Sequence, residues 1–433
     1  MKGLVLTIRR LASLLLVSVA ATTAAIPAAA GAEVGGFDPL FGSGNGRALL
    51  PAAFIDRVSV GEDLAIGPAD EILVLRRRYG GCPGSDCGTD LYLERIDSDG
   101  TVDTGYGARG VSDLVSIAAA ALPRSLGASV QITPEGKPLV VDSDGTVVTM
   151  ARFLSDGRLD PGFGVGGISR SDFGGAGIGL GVRAAIDRNG RIVVATETGP
   201  AANRLVLARY LPDGRLDPEF AAGAGYEFQP PPISPGGLAL FPGGGIVVGG
   251  NACCTPVTRR QVDLSRWLPN GEGSGNGFPR RMHAGPYASV DGVFALTKGR
   301  VEVVGASSRG AFIARFRRDG RMVRGFGRHG IARLGLFTVR KDAIQAVVDG
   351  RGRTLVVGIT PSAESEGFGE PLLTRRLADG RVDPNFRGTG LGFAYPLAIA
   401  LDSRGRVVVL GAPQCLRGCS GELVIERIVG RRS

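Results

Sequence analysis

The sequence predicts an all-β, seven-bladed β-propeller of four-stranded blades, and three observations carry that reading. Two short motifs alternate in phase along the chain. The incomplete motifs at its two ends complete each other. The 70 glycines and 26 prolines among 433 residues exclude long helices as the main element. Hydrophobic residues at 43% and charged residues at 21% form a globular balance, so a packed core is expected.

The first element, residues 1–32, reads as a signal peptide. Lys2, Arg9 and Arg10 precede an apolar run over 11–20, and small residues lead to two A-x-A sites within 28–32. The run is shorter than the ~20 residues of a spanning helix, so no membrane span is expected. Residues 33–433 form the propeller domain, secreted or periplasmic. Its net charge is about +6 once those three basic residues are discounted from +9, a balance that suits acidic partners.

Seven repeats of about 57 residues follow. ERIDSDGTVDTGYG (94–107), ARFLSDGRLDPGFG (151–164), ARYLPDGRLDPEF (208–220), SRWLPNGEGSGNGF (265–278), ARFRRDGRMVRGFG (314–327) and TRRLADGRVDPNF (374–386) align without gaps. Between them an apolar strand, a glycine turn and a β-branched run recur seven times, as in AIDRNGRIVVA (185–195) and ALDSRGRVVVLG (400–411). The missing copy of the first motif is split: 37–42 reproduces its back half and 424–428 its front half. A ring gains by such complementary ends, because one blade built from both termini leaves no long sheet edge.

Taking 184–220 as the type unit, strands A to D are expected at 184–186, 192–195, 204–210 and 215–220, with turns ending in Gly190 and Gly214. A three-residue hairpin loop ends in the left-handed region, which glycine adopts without steric cost. That register sets an arginine opposite an aspartate eight residues later. Ion pairs are therefore expected at Arg95 and Asp103, Arg152 and Asp160, Arg209 and Asp217, and Arg375 and Asp383. In the closing blade Arg427 and Asp38 would pair from opposite ends of the chain. Surface-exposed pairs of this kind contribute roughly 0.2–1 kcal/mol each. The pattern lapses where Arg266 meets Ser274 and Arg315 meets Val323. An element repeated in every blade is architectural rather than a ligand-binding set.

The R-[YFW]-x-x-DG-x-LDPxFG block and the following G-[KR]-IVVxG block resemble the delta-60 repeat (DUF5122-type) family of bacterial secreted β-propellers. The resemblance covers nearly all of 37–428. It implies an exported or surface-associated propeller of unknown function and carries no catalytic residues to transfer.

Variation concentrates in the links between strands B and C, which are long near 76–90, 250–262, 360–371 and 411–422. Rigid scaffolds carry binding on such loops. All six cysteines lie there as close pairs, Cys82 and Cys87, Cys253 and Cys254, and Cys415 and Cys419. In an exported chain these are expected as disulfides, although bridging the adjacent Cys253 and Cys254 strains the peptide between them. Their spacing does not match zinc sites, so no metal is expected. Ten basic residues against one acid, Asp319, between Arg309 and Lys341 form a second candidate surface, for an anionic glycan, lipopolysaccharide or acidic protein. The bland reading of that stretch is a solvated edge that resists strand pairing. The G-x-S-x-G elbow and the phosphate-binding loop are absent, and His283 and His329 fall in different blades, so no catalytic residues and no cofactor are assigned. Nucleic acid is not expected without aromatic interleaving. The sequence thus points to a non-enzymatic, monomeric scaffold binding an extracellular protein or anionic polysaccharide through its B–C loop face. The alternative is a glycan hydrolase or lyase with paired carboxylates at the central channel mouth.

Overall fold

The computed structural model describes residues 33–51, 59–79, 89–117, 127–175, 178–198, 204–229, 233–252, 261–275, 278–336, 344–360, 369–386, 389–413 and 422–430. They form seven antiparallel sheets of four strands each. Blade 1 comprises Ser59–Ile66, Ile72–Tyr79, Thr89–Ile96 and Val115–Ile117. Blade 2 comprises Ser129–Ile132, Pro138–Ser143, Val148–Arg152 and Ile168–Ser171. Blade 3 comprises Ile178–Ile186, Ile192–Thr198, Leu205–Tyr210 and Tyr226–Gln229. Blade 4 comprises Ile233–Leu240, Ile246–Ala252, Val262–Trp267 and Arg280–Met282. Blade 5 comprises Ser289–Ala295, Val301–Ala306, Phe312–Phe316 and Ile331–Arg333. Blade 6 comprises Gln345–Val348, Thr354–Ile359, Pro371–Arg376 and Thr389–Gly390. Blade 7 comprises Tyr395–Leu401, Val407–Ala412, Leu423–Ile428 and, from the other end of the chain, Arg47–Leu50. In this order the strands are A to D. The A strands of successive blades pack against one another around the axis, and D is outermost.

Strands B and C are apolar runs because neighbouring blades cover both their faces. Their alternating side chains feed two cores at once. Ile192, Val194, Val206 and Ala208 of blade 3 pack with Leu139, Val141 and Met150 of blade 2. Val193, Ala195, Leu205 and Leu207 pack with Ile246 and Val248 of blade 4. Each seam between blades thus has its own hydrophobic cluster, and the strand period of two assigns residues to one side or the other.

Closure follows the split motif. Arg47–Leu50 pairs antiparallel with Leu423–Ile428, register Arg47 to Glu426 and Leu50 to Leu423. The Asp38 N–H donates to Arg427 O at 2.8 Å, and Gly35 and Val429 extend the contact. Ala48 and Leu50 then join Leu423 and Ile425 in the core facing Leu64 and Val74 of blade 1.

The outer strand departs from expectation. Residues 215–220 form a turn, in which only Leu216 bridges Tyr210, and strand D begins at Tyr226. Asp217 Oδ1 accepts from Glu219 N–H while its carbonyl accepts from Phe220 N–H. Pro218 has no N–H to give a ladder, so the LDPxF segment turns instead of extending. The A and B strands of this unit are also longer than expected, reaching back to Ile178 and on to Thr198.

Candidate functional site

The repeated arginines sit where each blade meets the next. Arg95, Arg152, Arg209, Arg375 and Arg427 donate through Nε to Asp103, Asp160, Asp217, Asp383 and Asp38 at 2.6–2.8 Å. The same guanidiniums lie 4.4–4.9 Å over the rings of Tyr106, Phe163, Phe220, Phe386 and Phe41. Each then reaches forward: Nη1 donates to a carbonyl just after strand C of the next blade, at Ser155, Pro212, Pro269, Gly430 and Ser98 respectively. The planar fork of arginine lets one side chain serve an acid, a ring and a neighbouring blade together.

Four of these five pairs are buried, Arg209 at 4% and Asp217 at 1% exposure, so the range for surface-exposed pairs does not apply to them. Loss of one partner from such a pair leaves an uncompensated buried charge, at a cost of about 3–5 kcal/mol. Backbone doubles the latch, since Gly107 and Gly164 N–H groups donate to Asp156 and Asp213 O at 2.8 Å. At Gly164, φ is +52° and a Cβ would lie 2.1 Å from Ile168 O, so only glycine fits.

Two blades vary the plan. Arg315 takes its carboxylate from strand B, where Glu302 is also held by Thr354 Oγ1 of blade 6 at 2.6 Å, and still donates to Ala378 O. Burial pushes the Glu302 carboxyl up, against Arg315, which holds it down. Arg266 has no carboxylate in ion-pair range among the described residues. It lies 4.2 Å over Phe241 and reaches Arg318 O of blade 5 only at 3.4 Å. Ser274 stands in the aspartate's place with its hydroxyl buried and unbonded. Burial, and next Arg318, lower the pKa of Arg266.

Toward the B–C loop face, blades 1 and 2 share a charged cluster that no repeat motif marks. Arg77 bonds Glu62 at 2.7 Å and Asp142 at 3.0 Å. Burial opposes its charge, yet the two acids leave its proton affinity raised. Asp63 is half-buried and accepts from Val130 N–H of blade 2 at 3.0 Å and from Leu64 N–H at 2.9 Å. Burial raises its pKa to about 7 against those donors and Arg183. The residues come together because strand A carries a bulge between Gly61 and Asp63, a feature no composition signal marks. Inner strands are tied similarly farther round, by Gln131 to Ala184 O and Arg183 to Gly236 O. These carboxylates contact groups of both blades.

The basic stretch divides. Arg315 is buried, while Arg333 is exposed and donates to Ala284 O of the segment after blade 4 at 2.8 Å. Others, with both histidines, line a cavity of about 750 Å³ between strand D of blade 4 and the C–D hairpin of blade 5. His283 and His329, in separate sequence units, therefore share one groove. Among the described residues, no group of three or more His, Cys, Asp or Glu could hold a metal. No helix among them is long and apolar enough to cross a membrane. The six cysteines, residues 1–32 and most of the long B–C links lie outside the described residues.

A family model described as a β-propeller domain of unknown function, DUF5122, matches residues 188–220, within the blade 3 unit. No curated protein matches the chain in sequence. Among solved structures, a catalytically inactive virginiamycin B lyase from Staphylococcus aureus with quinupristin is similar over 88% of this chain and 99% of its own, at 10% identity and TM-score 0.47. Puromycin hydrolase is similar over 88% of this chain and 53% of its own, at 15% identity and TM-score 0.46. The β-propeller domain of the trilobed protease from Pyrococcus furiosus covers 82% and 92%, at 11% identity and TM-score 0.44. A propeller fold by itself assigns no activity.

Proposed function

We propose that this protein is an exported, non-enzymatic scaffold that binds an extracellular protein or polysaccharide through its B–C loop face. The carrying observation is a division of labour between the two faces. The C–D turns accept the latches of the preceding blade, as Pro212 O accepts Arg152, so these turns are committed to architecture. The opposite face bears the links whose length varies from blade to blade, and rigid scaffolds carry recognition on such loops. Glycan cleavage needs two carboxylates about 5–10 Å apart and free to act. Glu62 and Asp142 instead share one arginine, and Asp63 accepts from the backbone of the next blade.

The test is capture of glycans on an array and of extracellular proteins in a pull-down, comparing the wild type with a variant shortened over 250–262. Reduced capture by the variant supports the reading. Unchanged capture removes that loop from it, and release of new reducing ends from a glycan replaces it with the hydrolase reading.

A further inference from the structure

We infer that the groove between blades 4 and 5 is a second binding site, for an acidic polysaccharide. It lies beside the C–D hairpin of blade 5, toward the face opposite the B–C loops, and does not depend on the loop-face reading.

Arg280, Arg317, Arg321 and Arg324 line it, with His283 and His329, and no carboxylate does. Their charge is left unspent. In the hairpins of blades 2, 3 and 6 the arginine after the turn glycine bonds its own aspartate at 2.7–2.8 Å, as Arg158 with Asp156, Arg215 with Asp213 and Arg381 with Asp379. The equivalent Arg321 stands 3.9 Å from Asp319. Arg280, Arg317 and Arg324 have no carboxylate in ion-pair range among the described residues, whereas Arg281 is closely matched by Asp263 at 2.8 Å. This is also the seam whose latch lacks an acid, so two departures from the repeat coincide there.

The floor fits sugar. Met322 and Ile331, half-buried over the buried Phe316 and Met282, present carbon for the C–H faces of pyranose rings. The volume of about 750 Å³ falls in the range of small-molecule sites, about 300–1,000 Å³, enough for a short stretch of a linear polymer. Twelve residues line the groove, fewer than the roughly 20–30 that a protein partner covers on each side. Nucleic acid would need exposed rings for its bases, and Phe316 is 2% exposed. Carboxylate or sulfate groups at sugar spacing match guanidiniums spread along both walls.

The experiment measures binding of the full chain to heparin, to polygalacturonate and to neutral dextran, at low and at physiological salt. The site predicts binding to both acidic polymers and not to dextran, weakened by salt, and at least tenfold weaker in the triple variant Arg280→Glu, Arg317→Glu, Arg324→Glu. A control with the same charge change, Arg158→Glu, Arg215→Glu, Arg381→Glu, is expected to keep wild-type affinity, with an unchanged unfolding midpoint checking the fold of each. Equal losses in the two variants would reduce the effect to net charge and overturn the site. So would no binding to either acidic polymer, or tighter binding to polyglutamate than to both. A ligand held on the loop face survives the triple variant, so the two readings fail separately.

Discussion

At the seam between blades 3 and 4, Arg209 has Asp217 at 2.6 Å, Phe220 beneath it and Pro269 O ahead of it. At the next seam Arg266 occupies the same position over Phe241, but faces Ser274 and a carbonyl at 3.4 Å. The propeller tolerates the lapse because the hydrophobic core of that seam, with Val262, Leu264, Val303 and Phe312, is intact. The comparison separates two kinds of glue. Apolar burial holds every seam, and the arginine latch is an addition whose loss leaves positive charge at the surface.

The largest test of that difference is a pair of truncations. Arg209→Ala strands the buried Asp217 and should cost about 3–5 kcal/mol in denaturant unfolding. Arg266→Ala strands no acid and should cost less than about 1 kcal/mol. Equal losses would erase the distinction between the seams. Gly214→Ala comes next, at about 3 kcal/mol: φ is +86° and the new Cβ would press the Phe163 ring at 2.9 Å. Gly166→Ala, at φ +60° with open space around it, should cost only the backbone strain, about 1 kcal/mol.

A carboxylate matched by arginine can also be set against one that is not. Asp63 keeps its proton up to about pH 7 when folded, while the unfolded chain releases it near 3.8. The folded state therefore holds more protons between these values, and stability falls as pH rises from about 4 to 7, by up to about 1.4 kcal/mol per pH unit. Unfolding curves of the wild type minus those of Asp63→Asn should show that slope and flatten above pH 7; parallel curves would mean the carboxyl titrates normally. The smallest expected effect is a repair. Ser274→Asp supplies the missing acid to Arg266 and should add up to about 1 kcal/mol, read as a higher denaturation midpoint.

What could be read from the sequence was whatever repeats. The turn glycines, the β-branched B strands and the eight-residue offset of Arg152 and Asp160 gave the blades, their register and their closure, because each rule acts within one hairpin. The forward reach of Arg152 to Pro212 O was hidden, since it depends on how far one blade turns against the next. For the same reason Arg315 was set against Val323, and its actual acid, Glu302, lies on another strand. Strand D was misplaced because Pro218 redirects the chain for one turn before Tyr226 resumes it. Asp63 escaped notice because a bulge gathers the cluster around it. His283 and His329 share a groove only because adjacent blades abut.

Ring closure and the latch meet in one pair, Arg427 and Asp38, 389 positions apart in sequence and 2.8 Å apart in space. A double-mutant cycle of Arg427→Ala and Asp38→Ala, followed by equilibrium unfolding, tests both together. An interaction energy of about 1–3 kcal/mol is predicted. Additive losses would mean that the two ends of the chain do not jointly complete the seventh blade.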